Sequence, residues 1–480
     1  MYTRKQFIKT GIIAGTGLYF SNIGFSNVAN TDFISNRPSP ADRKFTSVAV
    51  EDVIIGMRDV IKDKQLSWLF ENCFPNTLDT TVDFEYIDGK PDTYVITGDI
   101  DAMWLRDSTA QVWPYLPLIT KDKKLQELIK GVIRRQVRCI ILDPYANAFY
   151  KDLSRESYWN KDLTDMKPGI HERKWEIDSL CYPVRLAYGY WKQTHDESIF
   201  DNEWKKAMSL VLKTFREQQR IKDQGPYTFQ RTTSWATDGV PLGGYGYPVR
   251  PNGLICSVFR PSDDCTIYPY LIPSNYFAVE ILGYLSEIFS LPSVNDVKMA
   301  NESNELKLTV KKALDRYAVL DHPDYGMIIP YEINGFGSFN FMDDANVPSL
   351  LSLPYLNCLN SDDRLYLNTR KYVLSANNPF YFEGTAAEGT GSPHTSTGNI
   401  WPMSIIMRGL TSNDKTEIKH CITTLLKTHA GTGFMHESFN QDDPAKFTRK
   451  WFAWANTLFG EFVLNVSNRF PELLKLKYQS

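Results

Sequence analysis

The chain has 480 residues, with 42% hydrophobic and 13% aromatic content and a formal net charge of -3. That apolar share is enough for a sizeable core. No basic run is long enough to form a phosphate-binding stripe, so nucleic acid is excluded as the main partner. The seven cysteines are scattered, odd in number and without a CxxC pair, which fits free buried thiols better than a disulfide framework. The 11 Trp and 26 Tyr offer flat faces that either fill a large core or stack on sugar rings.

At the N-terminus, Thr3-Arg4-Lys5-Gln6-Phe7-Ile8-Lys9 precedes a small and apolar run from Thr10 to Phe20. A basic start, a short apolar run and then small or polar residues predict an export signal over 1–30, with a linker over 31–44. The run is too short for a permanent bilayer anchor. No other segment reads as transmembrane, so the mature chain is expected to have no membrane span. Arg4-Lys5 resembles a twin-arginine signal in which lysine replaces the second arginine. The expected location is exported, periplasmic.

From residue 45 to 475 no linker or domain break interrupts the chain, and one domain is expected. Asp52 to Glu71 carries apolar residues at 53, 54, 57, 60, 61, 66, 69 and 70, close to a 3.6 period. Similar stretches lie near 106–119, 122–141, 176–194, 199–218, 273–290, 304–318, 346–357, 362–376, 399–410, 415–429 and 448–467. Strand-like alternation is confined to 82–96, 225–232 and 325–333. The helices pair, and a polar, aromatic-rich loop precedes every second one. Six pairs with six decorated loops predict an all-α toroid, with short strand-containing loops converging at one end. Weak similarity between the pairs argues against a regular solenoid.

The loops carry the chemistry. The first, 98–107, holds Asp101, Trp104, Arg106 and Asp107; the second, 169–178, holds Glu176 and Asp178. The third, 260–270, brings Arg260, Asp263 and Asp264 against two tyrosines. The fourth carries Asp343 and Asp344, the fifth His394 and Trp401, and the last His436 and Glu437. Carboxylates and arginine grip hydroxyls through charge-assisted hydrogen bonds while an aromatic forms a floor, so this mix suits a pocket for a neutral polyol. An acid that keeps a proton, plus a separate carboxylate, is what glycoside hydrolysis needs. The competing reading of Asp263-Asp264 is a helix cap and first-turn charge. No EF-hand spacing, HExxH or Cys/His zinc pattern occurs, so no metal site is expected. No Walker loop or GxGxxG follows a strand, so no nucleotide cofactor is expected either. Gly243-Gly244-Tyr245-Gly246-Tyr247-Pro248 reads as a substrate-facing loop.

Several motifs together resemble glycoside hydrolase family 125. They are Gly98-Asp-Ile-Asp-Ala-Met-Trp-Leu-Arg-Asp-Ser108, Arg260-Pro-Ser-Asp-Asp-Cys-Thr266, Leu271-Ile-Pro-Ser-Asn275, Gly398-Asn-Ile-Trp-Pro-Met403, Met435-His-Glu-Ser-Phe439 and Lys450-Trp-Phe-Ala-Trp-Ala-Asn456. The likeness runs in order from about 45 to about 470. It implies an (α/α)6 barrel and an exo-acting α-mannosidase that removes terminal α-1,6-linked mannose from glycans by metal-independent inversion. Carried onto this chain, it implies Asp264 as general acid, with Asp263 the other choice, and Glu437 as general base. It also implies sugar contacts from Asn275, Lys450 and the loop residues named above. Two rival readings stay open. One is another toroid enzyme, a sugar epimerase or a differently specific glycosidase. The other is a non-catalytic glycan-binding protein.

Overall fold

The computed structural model describes residues 33–478; the expected export signal lies outside them. Helices dominate, and all the α-helices but the five-residue Asn76–Thr80 fall into two sets that differ in how they begin. One set comprises Val48–Val60, Lys64–Cys73, Lys123–Leu142, Asn202–Gln218, Val297–Tyr317, Arg364–Val373 and Lys415–Thr428. Each starts on a Ser or Asp whose own side chain accepts a backbone N–H of the first turn: Ser47, Asp63, Asp122, Asp201, Asp296, Asp363 and Asp414. The other set comprises Leu105–Val112, Ile177–Thr194, Ile272–Phe289, Pro402–Leu410 and Ala453–Arg469. Their caps are Trp104, Glu176, Leu271, Trp401 and Phe452, and none makes a side-chain cap bond.

The second set is the more deeply buried. Every residue of Leu105–Val112 is buried, whereas the flanking helices bury one face. Leu105–Val112 packs on Ile177–Thr194, and that helix packs on Ile272–Phe289. On the other side Pro402–Leu410 packs on Ala453–Arg469, which packs back on Leu105–Val112. The core runs through all of them as one cluster.

The expected single helix over 52–71 is two. Ile61 is extended, and Asp63 accepts Leu66 N–H to start a new helix. The stretch 346–357 is a series of turns instead of the expected helix. Its apolar residues mimic a helical period, but Pro348 and Pro354 lack the N–H a helix needs. The Asp343 carboxylate takes the Leu350 and Leu351 N–H groups instead. At 225–232 there is no strand, only a bridge between Leu163 and Gln230. The strands expected over 82–96 form the hairpin Val82–Ile87 with Lys90–Val95.

Short strands stitch the loops into three blocks. Met103–Trp104, Ala148–Phe149 and Ile170–Glu172 join the first and second loops. Tyr270–Leu271, Glu332–Ile333 and Phe339–Asn340 join the third loop to the approach of the fourth. Asn399–Ile400 pairs with Phe439–Asn440, joining the fifth loop to the last. Residues 35–37 are tied down rather than dangling: Asn36 N–H donates to Asn72, and Arg37 pairs with Glu51 and Asp79. The seven cysteines are free thiols, five of them buried. Among the described residues no helix is long and apolar enough to cross a membrane.

Candidate active site

The three loop blocks meet through polar side chains. Between the first and second blocks lies Arg106, fully enclosed, with Nη1 2.6 Å from Glu176 and 3.2 Å from Asp178, Nε 3.4 Å from Asp107, and Nη2 3.3 Å from Asp263. Four carboxylates around one guanidinium are too many negative charges to bury together. The cluster relieves this with protons. Burial, and then Asp263 and Asp178 nearby, push Glu176 well above the usual carboxylate range. Burial likewise raises Asp178 to about 6 despite Arg106. Asp263 goes the other way. Arg106 and Lys174 outweigh its burial, and a hydrogen bond from Glu176 helps hold it below the usual range. Asp263 also takes Asn147 Nδ2 at 3.3 Å and sits at φ +68, in the left-handed region. Its side chain is 21% exposed, so this carboxylate has access to a ligand.

Asp264 is set deeper, 1% exposed. Thr237 Oγ1 donates to its Oδ1 at 2.5 Å, and His394 Nδ1 lies 3.4 Å from Oδ2. Burial works against its charge, but His394 and then Thr237 bring it down to about 2. The loop carrying Thr237 is braced from behind: Lys174 binds Asp238 at 2.6 Å, and Arg231 binds Asp162, Glu172 and Asp238. The contact of His394 with Asp264 joins the second block to the third. So does Ser392, which donates to Asp344 at 3.0 Å.

Glu437 belongs to the third block. Thr448 Oγ1 donates to its Oε2 at 2.8 Å, and Arg449 Nη1 lies 3.5 Å from Oε1. The same guanidinium reaches the first block, donating to Thr97 O at 3.0 Å and pairing with Asp99. Thr97 in turn donates to Asp107 at 2.7 Å. The candidate acid and base, far apart in sequence, are thus linked through Thr97, Asp107, Arg106 and Asp263.

The expected site residues divide. Arg106, Asp107, Glu176, Asp178, Asp263, Asp264, His394 and Glu437 join this chain of contacts. Trp104 is buried edge-on to His171, with ring centroids 5.1 Å apart. Trp401 is buried with its N–H on Thr395 and its ring near His394. His436 stacks on Phe447 at 4.0 Å, and its Nδ1 reaches the Arg449 and Lys450 carbonyls. Asp344 is buried and taken up by Asn346 and Ser392.

Four expected sugar contacts lie outside this chain of contacts. Asn275 spends its amide on the Ile255 and Leu271 carbonyls and its oxygen on Ile255 N–H, so it splints the backbone. Arg260 pairs with buried Glu332 at 2.7 Å and holds the third loop to its sheet. Asp101 is exposed and pairs with Arg155 at 2.6 Å. Lys450 is exposed and contributes only a carbonyl. Sequence reading missed Arg449, one position before a motif it did single out. It also missed Thr237, a lone threonine with no pattern around it. Among the described residues no group of three or more His, Cys, Asp or Glu is arranged to hold a metal ion.

Residues 63–464 match the metal-independent alpha-mannosidase family GH125. The chain is 41% identical over 457 residues to the Meiotically up-regulated gene 157 protein of Schizosaccharomyces pombe, covering 92% of this chain and 89% of that one. It superposes with a TM-score of 0.84 and 39% identity on a Streptococcus pneumoniae metal-independent alpha mannosidase solved in a non-productive complex with alpha-1,6-mannobiose. That match covers 90% of this chain and 100% of the other. A GH78 family rhamnosidase of Bacillus sp. GL1 shares only the fold, with a TM-score of 0.50 and 12% identity over 84% of this chain and 35% of its own. Since one family accounts for residues 63–464 and a solved member superposes along its whole length, the chain belongs to the GH125 alpha-mannosidases.

Proposed function

We propose that this mannosidase is exo-acting, removes terminal α-1,6-linked mannose and works by single displacement with inversion. Asp264 is the general acid and Glu437 the general base. The helices form an (α/α)6 ring in which the turns of 346–357 fill the place of one inner helix. The pairing of Asp264 with His394 and Thr237 on one side of the Arg106 cluster, and of Glu437 with Thr448 and Arg449 on the other, is the observation that carries the reading.

In this mechanism a mannosyl residue sits over the Arg106 cluster. Half-buried Asp263 grips its hydroxyls, held in place by the enclosed Arg106 guanidinium behind it. Asp264, 3.4 Å from His394 Nδ1, takes a proton from the protonated imidazole and passes it to the leaving oxygen as the glycosidic bond breaks. Glu437 takes a proton from water, which attacks the anomeric carbon from the opposite face. Inversion of this kind calls for carboxyls roughly 6.5–9.5 Å apart, room for that one water. The bound α-1,6-mannobiose of the pneumococcal relative supports the linkage. Export through the signal at residues 1–30, to the periplasm, belongs to the same proposal.

The test offers α-1,6-, α-1,2- and α-1,3-linked mannobiose and follows the first-formed anomer by NMR. Release of β-mannose from the 1,6 linkage, far faster than from the others, is expected. Equal rates on all three remove the linkage claim, and a first-formed α anomer removes inversion and the role of Glu437.

A further inference from the structure

We propose that Arg449 is the positioning residue for the base, a clamp across the seam between the first and last loop blocks. The assignment rests on Glu437 acting as the base. Each Glu437 oxygen has its own partner from consecutive positions, Thr448 on Oε2 at 2.8 Å and Arg449 on Oε1 at 3.5 Å. The rest of the guanidinium is anchored elsewhere: Nη2 donates to Thr97 O and pairs with Asp99, 350 residues away in sequence. Its flat face lies 4.9 Å from the Phe452 ring centroid. Its backbone carbonyl accepts from His436, the residue before the base. The fit is close from the other side too, for Gly98 stands at φ +71 and a Cβ there would come within 3.0 Å of Arg449 Nη2. A planar fork with fixed donors can hold a carboxylate and a carbonyl at once, which a lysine cannot reproduce.

The clamp has an electrostatic side. The groups facing Glu437 are Arg449, its counter-charge Asp99, Asp107 beyond Thr97, and the flanking His436 and exposed Lys450. Burial lowers the His436 imidazole below its ordinary value. Burial raises Asp107, and Arg106, Thr97 and Arg449 draw it partway back, so the Arg449 charge is felt across the seam.

The experiment compares R449M, R449K and D99N with the wild type on α-1,6-mannobiose, with melting curves for each. In R449M kcat should fall about 100-fold with KM changed less than about threefold, as expected for a misplaced catalytic group. The acidic limb of kcat/KM should move to higher pH, because a base without its cation ionises less readily. R449K should keep the limb near its wild-type position and recover part of kcat. D99N should move the limb to lower pH, since it frees the arginine's charge. If R449M does not fold, R449K and D99N decide the matter through the limb. An unchanged kcat and limb in R449M overturn the assignment alone. So does a loss of kcat that follows the melting temperature with no shift in any limb. A wild type inactive on every mannobiose overturns this assignment and the proposed function together.

Discussion

The two sets of helices begin in opposite ways. The flanking helices are capped by their own side chains, Asp201 for instance accepting the Glu203 and Trp204 N–H groups. The buried helices are started by residues far along the chain. Leu105 N–H donates to Asn147 O, Ile177 N–H to Ser257 Oγ, and Ile272 N–H to Tyr331 O. A local cap makes a helix start independent of its neighbours. A long-range partner makes the start depend on the neighbouring loops, as Ile177 depends on Ser257, seven residues before Asp264. The difference separates what stabilises the molecule from what equips it for chemistry.

Substitutions at the loop end should therefore alter rate, and substitutions at the flanking caps should alter stability. The largest effects belong to Asp264→Asn and Glu437→Gln. Each should lower turnover on mannobiose by about 10²–10⁴, the usual range for general acid or base catalysis, with melting almost unchanged. An activated leaving group should restore the Asp264 variant far more than the Glu437 variant, because it needs less protonation. If Asp263→Asn shows that rescue instead, the acid is its neighbour. Thr237→Val comes next. Losing a hydrogen bond to a charged group costs about 1.5–3 kcal/mol, so kcat/KM should drop at least about tenfold. An unchanged value would show that the contact with Asp264 is only structural. The smallest effect is Asp201→Ala, which should cost about 1 kcal/mol of stability in a denaturant melt. Its kcat should equal that of the wild type, and a changed kcat would break the distinction between the two helix sets.

The same contrast explains what could be read from the sequence. Helical period placed most flanking helices within a few residues, as in 122–141 against Lys123–Leu142. The decorated loops, and with them Asp263, Asp264, His394 and Glu437, stood out because charged residues clustered next to aromatics. Long-range partners left no local mark. Asn275 looked like a sugar ligand in a motif, and only the fold shows its amide spent on Ile255 and Leu271. Arg449 was passed over for Lys450 because neither charge shows its direction until the turn is built. The turns at 346–357 were mistaken for a helix because apolar spacing outweighed two prolines.

Assembly of the site also has an order in time. The contacts of Arg449 with Thr97 and Asp99 span about 350 residues of chain. Loop-closure entropy makes contacts of such separation late events in folding. During synthesis, the first loop block and its helices leave the ribosome long before residue 449 exists. A nascent chain can carry most of its helices and still lack the wall that holds the base. A chain stalled before residue 449 therefore lacks the side chain that joins Glu437 to Thr97 and Asp99.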